Sequence, residues 1–291
     1  VLYNNGITAY MQERWFECMS LMQAAMKDFH FYQENLANCK LRCQNLPKSE
    51  TDPKQHLELA FFETMVLRSN CLRRCTLRQL GDRAEGVVSR TVREAFATLL
   101  PYDYMQICAY KAERYREAVS SAYTFLLANP DHDTMQNNIA YYRNMEGVTS
   151  EYFQNLEATQ HEVTYHAAVS AYSDNDFDQT VIEMEDALHQ YYLAYQKCSV
   201  LCEQPYDHES LPDFYNAIAD HWISILDCKA ECPQQLAKEA GEKVEEYLPE
   251  HYNYLQFAYY KVGLLSKAAE CAATSKLLNP EDQTMKNNIE F

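Results

Sequence analysis

Pro101 to Pro130 reads PYDYMQICAYKAERYREAVSSAYTFLLANP, and the chain writes a second version of it from His251 to Pro280, HYNYLQFAYYKVGLLSKAAECAATSKLLNP. Each has a tyrosine-rich first segment, a short break, and a second segment with small residues where two helices would touch. Each then ends in Asn-Pro, and proline cannot continue a helix. Each is therefore expected to be a helix hairpin, with its contact at Tyr115 and Ala118 in the first and at Leu265 and Ala268 in the second. Gly263 falls in the turn of the second.

Working outward, the whole chain is a duplication. Tyr3 to Cys43 aligns with Tyr165 to Cys202, matching Ala9-Tyr10 with Ala171-Tyr172, Trp15 with Phe177 and Ala25 with Ala187. Leu100-Pro101 recurs as Leu248-Pro249, and Thr134-Met135-x-Asn137-Asn138-Ile139 as Thr284-Met285-x-Asn287-Asn288-Ile289. Weaker hairpins surround Trp15 and Phe177, with Gly6, Ala9 and Ala25 in one and Ala168, Ala171 and Ala187 in the other. Hairpins with these small contacts and closing prolines resemble tetratricopeptide repeats, which stack into a solenoid with a concave binding groove. Apolar residues at three and four spacing (Leu57, Phe61, Met65; Phe214, Ile218, Trp222, Ile225) predict inserted helices from about Asp52 to Leu80 and from Leu211 to about Cys232. Polar or proline-bearing linkers are expected at Gln44 to Thr51, Gly81 to Ser89, Met145 to Gln160 and Glu203 to Ser210. The expected fold is all-α, a duplicated and disulfide-stapled helical-repeat solenoid with halves 1–148 and 149–291.

Composition agrees with helix, since only 6 of 291 residues are glycine. With Lys+Arg 25 against Asp+Glu 42, a net charge of −17 argues against nucleic acid held on a basic face. No apolar run is long enough to span a bilayer, so membrane insertion is not expected. A start at Val1 without methionine or a signal-like segment is read as a mature or cut chain.

Eight of the 11 cysteines form four C-x-x-x-C motifs: Cys39/Cys43, Cys71/Cys75, Cys198/Cys202 and Cys228/Cys232. Residues four apart share a helix face, so two such helices could be bonded twice. Bonds between the two motifs of each half are expected, implying an oxidising compartment. The register stays open: antiparallel helices would join Cys39 to Cys75, parallel ones Cys39 to Cys71. Zinc on four thiolates is the rival, disfavoured because these motifs sit in helical pattern rather than knuckle-like turns. Cys18, Cys108 and Cys271 are left over, and Cys18 is expected as a buried free thiol.

No nucleotide-binding, nucleophile-elbow or dinucleotide motif occurs. His161-Glu162…His166 has one residue too many for a zincin pair, and Glu245-Glu246 and Glu183/Glu185 read as solvated faces. Neither catalytic residues nor metal ligands are assigned. One feature does repeat: a tyrosine at the same place in every first helix, Tyr10, Tyr110, Tyr172 and Tyr260, with Tyr3 and Tyr165 earlier on the same face and Asp103 and Asn253 in the other two hairpins. These rings either pack between hairpins or line the groove. As a lined groove they would suit proline-rich segments, which dock on aromatic surfaces at little entropic cost, with Asn137 and Asn287 bonding exposed carbonyls.

Two C-x-x-x-C pairs per half, together with PYDYMQICAYK (Pro101 to Lys111), FYNAIADHWISILDCKAEC (Phe214 to Cys232) and HYNYLQFAYYKVG (His251 to Gly263), resemble the leprecan family, which contains the collagen prolyl 3-hydroxylases and the cartilage-associated protein. The resemblance covers essentially the whole chain. It implies a protein of the endoplasmic-reticulum lumen acting on procollagen chains. It also implies partners: a prolyl 3-hydroxylase or cartilage-associated-type protein, and a cyclophilin-type prolyl isomerase. The family's hydroxylases follow this helical region with a dioxygenase domain using 2-oxoglutarate, Fe2+ and ascorbate. No His-x-Asp iron dyad occurs here, and the sequence stops at Ile289-Glu290-Phe291 without a retention tetrapeptide. The expectation is a non-catalytic stretch, either the N-terminal piece of a hydroxylase or a trimmed helper, holding procollagen for a separate dioxygenase. The alternative is an assembly scaffold contacting only hydroxylase or isomerase partners.

Overall fold

The structure is a computed structural model that describes residues 1–44, 54, 56–86, 88–206, 213–239 and 241–290. Much of the expected Gln44 to Thr51 and Glu203 to Ser210 linkers, and the expected helix starts near Asp52 and Leu211, lie outside those residues. The chain divides into two compact units, Val1–Leu156 and Glu157–Phe291. The first unit thus keeps a stretch beyond 148 that the sequence assigned to the second. The reason is local: the Thr124 hydroxyl donates to the Gln154 carbonyl at 3.3 Å and accepts from the Leu156 amide at 2.8 Å.

The first unit contains α1 (Leu2–Met11), α2 (Trp15–Gln44), α3 (Leu57–Leu80), α4 (Arg90–Ala97), α5 (Leu100–Lys111), α6 (Tyr115–Ala128) and α7 (Asp133–Arg143). A short 3-10 turn, Gly81–Glu85, occupies part of the expected linker after α3. Hairpins α1/α2 and α5/α6 pack against each other through α2 and α5. Their seam is built of small side chains: Ala9, Ala25, Ala109, Ala118 and Ala122 are buried. Gly6 allows the closest approach, since a Cβ there would meet Met22 Cε at 2.9 Å.

The second unit contains α8 (Gln160–Ser173), α9 (Phe177–Leu201), α10 (Phe214–Leu236), α11 (Tyr247–Lys261), α12 (Leu265–Leu278) and α13 (Gln283–Glu290). Its hairpins α8/α9 and α11/α12 use Ala168, Ala187, Ala258, Ala268 and Ala272 in the same way. Where the first unit has α4, this one has a two-stranded ribbon, β1 (Lys238–Glu239) and β2 (Glu242–Lys243), which an all-helical expectation did not contain. Its register pairs like charges, Lys238 with Lys243 and Glu239 with Glu242, so cross-strand attraction does not hold it. Ala237, buried against the core, does: its carbonyl accepts the Val244 amide at 3.0 Å.

All four hairpin turns are the same. Glu13, Glu113, Asn175 and Gly263 have φ of 57°, 59°, 61° and 84°. The next residue's amide reaches back five residues: Arg14 to Ala9, Arg114 to Ala109, Asp176 to Ala171, and Leu264 to Tyr259, at 2.8 to 3.0 Å. That is a Schellman closure, which satisfies carbonyls a helix end would leave orphaned. The carbonyls of Tyr10, Tyr110, Tyr172 and Tyr260 accept the amide of the left-handed residue in each turn. The repeated Thr-Met motif starts α7 and α13. Its methionines, Met135 and Met285, are buried, and their amides are capped by His132 Nδ1 and Asp282 Oδ1, both at 3.1 Å.

Helices α2 and α9 run past their hairpins and carry the first cysteine motif of each half to α3 and α10. The bonds are Cys39–Cys75, Cys43–Cys71, Cys198–Cys232 and Cys202–Cys228, with Cα atoms 5.6 to 6.0 Å apart. This is the antiparallel register. A fifth bond corrects an expectation: Cys18 is no free thiol but is bonded to Cys108, tying α2 to α5 with Cα atoms 6.1 Å apart. Both cysteines sit at fully buried contact points of the two hairpins, which is what brings the sulfurs together. Cys271 is the free cysteine, half-buried, its thiol pushed up to about 11 chiefly by burial and then by Glu270.

Candidate binding surface

The first helix of each hairpin ends one residue after its repeated tyrosine, Tyr10, Tyr110, Tyr172 or Tyr260. In the first unit Tyr104 of α5 lies between two rings of α1, 6.3 Å from Tyr3 and 5.3 Å from Tyr10, with Trp15 6.0 Å beyond Tyr10. In the second unit Tyr254 of α11 lies between the matching rings of α8, 6.3 Å from Tyr165 and 4.9 Å from Tyr172, and Phe177 is 5.9 Å beyond Tyr172. All these contacts are edge-on, the arrangement that aromatic quadrupoles favour. Seven residues separate the two rings of each first helix, so they stack along one face.

The two rings of each pair have different fates. Tyr3 and Tyr165, expected to line the groove, are core residues, 8% and 2% exposed. They sit at the start of their helices, where neighbouring elements cover them: Phe96 lies 5.5 Å from Tyr3, while Tyr247 and His251 each lie 4.6 Å from Tyr165. Tyr10, Tyr110 and Tyr172 are half-buried, and Tyr260 is exposed at 43%. Tyr110 packs 6.1 Å from Tyr141, and their hydroxyls share a hydrogen bond of 3.0 Å. Asn137 and Asn287 are both exposed. Tyr104 and Tyr254, which join each cluster, were missed by the fourfold alignment because the first hairpin of each half carries Asn4 or His166 at that place instead of a tyrosine. They were visible as the matched YDY and YNY of the opening stretches.

The second unit's cluster extends to a charged edge. Phe257 lies 5.6 Å from Tyr172, and Lys261 Nζ sits 5.0 Å from the Phe257 ring and 5.9 Å from Phe177. Beside them an open cleft of about 530 Å³ is lined by Asp174, Asp176, Phe177, Asp178 and Lys261. Burial, then the Glu250 carboxylate, raises the Tyr172 and Tyr254 phenols above their ordinary value, so both present neutral hydroxyls at pH 7. Asp103 is likewise raised, by burial first. Half-buried rings bearing hydroxyls offer apolar faces with hydrogen-bond donors at their rims.

Among the described residues, one group of three metal-donor side chains lies within 4.8 Å: Cys198, Cys202 and Cys232, and all three sulfurs are in disulfides. A 2-oxoglutarate dioxygenase iron site needs two histidines and a carboxylate, and the described residues do not fit one. His161 and His166 go separate ways: the Leu236 carbonyl accepts from His161 Nε2 at 2.9 Å, while His166 Nδ1 meets Glu239 at 3.1 Å.

The family model described as the leprecan family TPR-like repeat region matches residues 1–291. Human prolyl 3-hydroxylase 1 is 33% identical over 311 residues, covering 100% of this chain and 42% of that protein. Chicken prolyl 3-hydroxylase 1 is 35% identical over 307 residues, covering 100% of this chain and 41% of its own length. Human cartilage-associated protein is 31% identical over 292 residues, covering 99% of this chain and 72% of that protein. The chain thus spans less than half the length of the hydroxylases it matches.

Proposed function

The chain belongs to the leprecan family, and we propose that it is the non-catalytic helical-repeat interaction region of a collagen prolyl 3-hydroxylation machinery, working in the endoplasmic-reticulum lumen. In this reading it holds unfolded, proline-rich procollagen chains so that a separate 2-oxoglutarate and iron dioxygenase can act on them. Its gain is effective concentration: many weak contacts keep a substrate near the catalytic site without chemistry of their own. Five disulfides and a 100% overlap with prolyl 3-hydroxylase relatives support the setting.

The observation that carries the reading is the doubled cluster, Tyr10 with Tyr104 and Trp15 in one unit and Tyr172 with Tyr254 and Phe177 in the other. Polyproline II makes no internal hydrogen bonds and turns every three residues, so it leaves its carbonyls unpaired and brings a ring to the same side once per turn, and a row of tyrosines answers both. Anisotropy of a labelled proline-rich, single-stranded peptide tests it. Binding should weaken in Tyr10→Ala plus Tyr172→Ala and stay unchanged in a surface control such as Glu151→Gln. Equal binding by both variants would remove the tyrosines from the account.

A second reading is an assembly scaffold whose surfaces meet only a hydroxylase or a cyclophilin-type isomerase. The net charge of −17 favours it, because acidity of that size steers a basic partner. Salt-sensitive capture of an isomerase together with no peptide binding would select it.

A further inference from the structure

The open cleft of the second unit already holds a cation, and the cation is the chain's own. Phe177 and Phe257 stand edge-on, 5.7 Å apart, and each is also edge-on to Tyr172, at 5.9 and 5.6 Å. Lys261 Nζ lies over both phenylalanines, 5.0 Å from Phe257 and 5.9 Å from Phe177. Asp174, Asp176 and Asp178 line the same cleft of about 530 Å³. Among the described residues Lys261 nevertheless forms no ion pair with any of them. Ring faces hold the ammonium, as cation–π attraction allows, and the carboxylates are left facing the cleft.

The duplication shows that the turn itself does not require those carboxylates. At the three matching places the first unit has Gln12, Arg14 and Phe16, and Ile107 stands where Phe257 does. The Arg14 amide still closes onto Ala9 at 2.9 Å, as the Asp176 amide closes onto Ala171 at 3.0 Å. Two of the three carboxylates have a local use: Asp176 Oδ1 accepts the Gln179 amide at 3.1 Å, and Asp178 lies in the first turn of α9. Asp174 has none. It follows the last residue of α8, where the carbonyl end of a helix repels a negative charge. A carboxylate in an adverse place, beside rings that hold an ammonium, suits a cation supplied from outside.

We propose that this cleft takes the ammonium of a lysine carried by the docked proline-rich chain, and that Lys261 holds the place until that lysine displaces it. The inference rests on the peptide-binding reading and names the sequence that the second unit selects, a lysine close to prolines. Polyproline II advances about 3 Å per residue, so a lysine about two residues from a proline on Tyr172 reaches the two phenylalanines.

Fluorescence anisotropy of two labelled, single-stranded proline-rich peptides tests it, one with a central lysine and one with norleucine in its place. The 291-residue chain should bind the lysine peptide about threefold or more tighter. Asp174→Asn plus Asp178→Asn should bring the two peptides to equal affinity, and Lys261→Gln should widen their ratio by removing the competitor. Changes of the same charge in the first unit, Asp131→Asn plus Asp133→Asn and, separately, Lys111→Gln, should leave the ratio as in the parent. All of these side chains are exposed, so the fold should survive each change. Equal binding of the two peptides by the parent would overturn the inference and leave the peptide reading standing. So would a ratio unmoved by Lys261→Gln, or one that the Asp174 and Asp178 changes lower no more than the first-unit changes do. Binding of neither peptide would overturn both.

Discussion

Cys18 on α2 is bonded to Cys108 on α5, at a place where the second unit puts Thr180 and Ala258. All four residues are fully buried. The two units thus close the same hairpin-to-hairpin contact in two ways, one with a covalent bond and one with packing alone.

Replacing the bond by its counterpart should therefore cost stability and leave the fold. The disulfide closes the longest loop of the five, with a sequence separation of 90 against 26 to 36 for the others. In chain-entropy terms that is about 4 to 5 kcal/mol, against about 3 to 4 for the shorter loops. Cys18→Thr plus Cys108→Ala should lower the urea midpoint clearly while keeping the far-ultraviolet spectrum. An unchanged midpoint would mean that the bond constrains nothing.

His251 makes stability depend on pH. Its ring is fully buried among Tyr165, Tyr191 and Tyr247, with His161 nearby, and burial is the main reason its folded-state pKa falls to about 4. The unfolded chain takes up the proton near the ordinary 6.5, so its stabilisation is complete above that value and is lost as pH falls towards 4. The loss should reach about 3 kcal/mol. Urea melts at intervals between pH 7.5 and pH 4.5 check it, since His251→Gln should flatten that slope relative to the parent. Parallel curves would contradict the assignment.

The turns offer a stabilising change. Glu13 and Glu113 hold the left-handed backbone that Gly263 adopts without cost. Glu113→Gly should raise stability by about 0.5 to 1 kcal/mol, while Gly263→Ala should lower it by about 1. Nothing lies within 4 Å of a Cβ built at Gly263, so its cost is backbone strain alone. Thermal melts of the two variants should move in opposite directions.

The paired tyrosines should separate binding from folding. Tyr165 is buried, and Tyr165→Ala should cost about 3 to 5 kcal/mol of stability. Tyr172, half-buried seven residues along, should cost far less when truncated but weaken proline-rich peptide binding. Reversal of the two outcomes would place binding at the covered start of that face of α8 and the core contact at its open end.

Much of this architecture was legible because duplication tests every local pattern twice. The closing Asn-Pro pairs locate the ends of α6 and α12 at Ala128 and Leu278. The cysteine pairs were legible as pairs, but their register depends on the direction in which α3 and α10 return, which spacing does not encode. Cys18 was misread because a thiol also fills a small helix-contact position. Its alignment with Thr180, and that of Cys108 with Ala258, marks both as contact sites and so as possible partners. Tyr3 and Tyr165 share a face with Tyr10 and Tyr172, as helical spacing requires. Which end of that face is covered is decided by Phe96 in one unit and by Tyr247 and His251 in the other.

The most direct test of the central claim is a calorimetric titration of the oxidised chain with a single-stranded, proline-rich collagen-like peptide, beside a scrambled proline-poor peptide. The account predicts saturable binding of the first and none of the second. Failure to bind the proline-rich peptide, or equal binding of both, would contradict it.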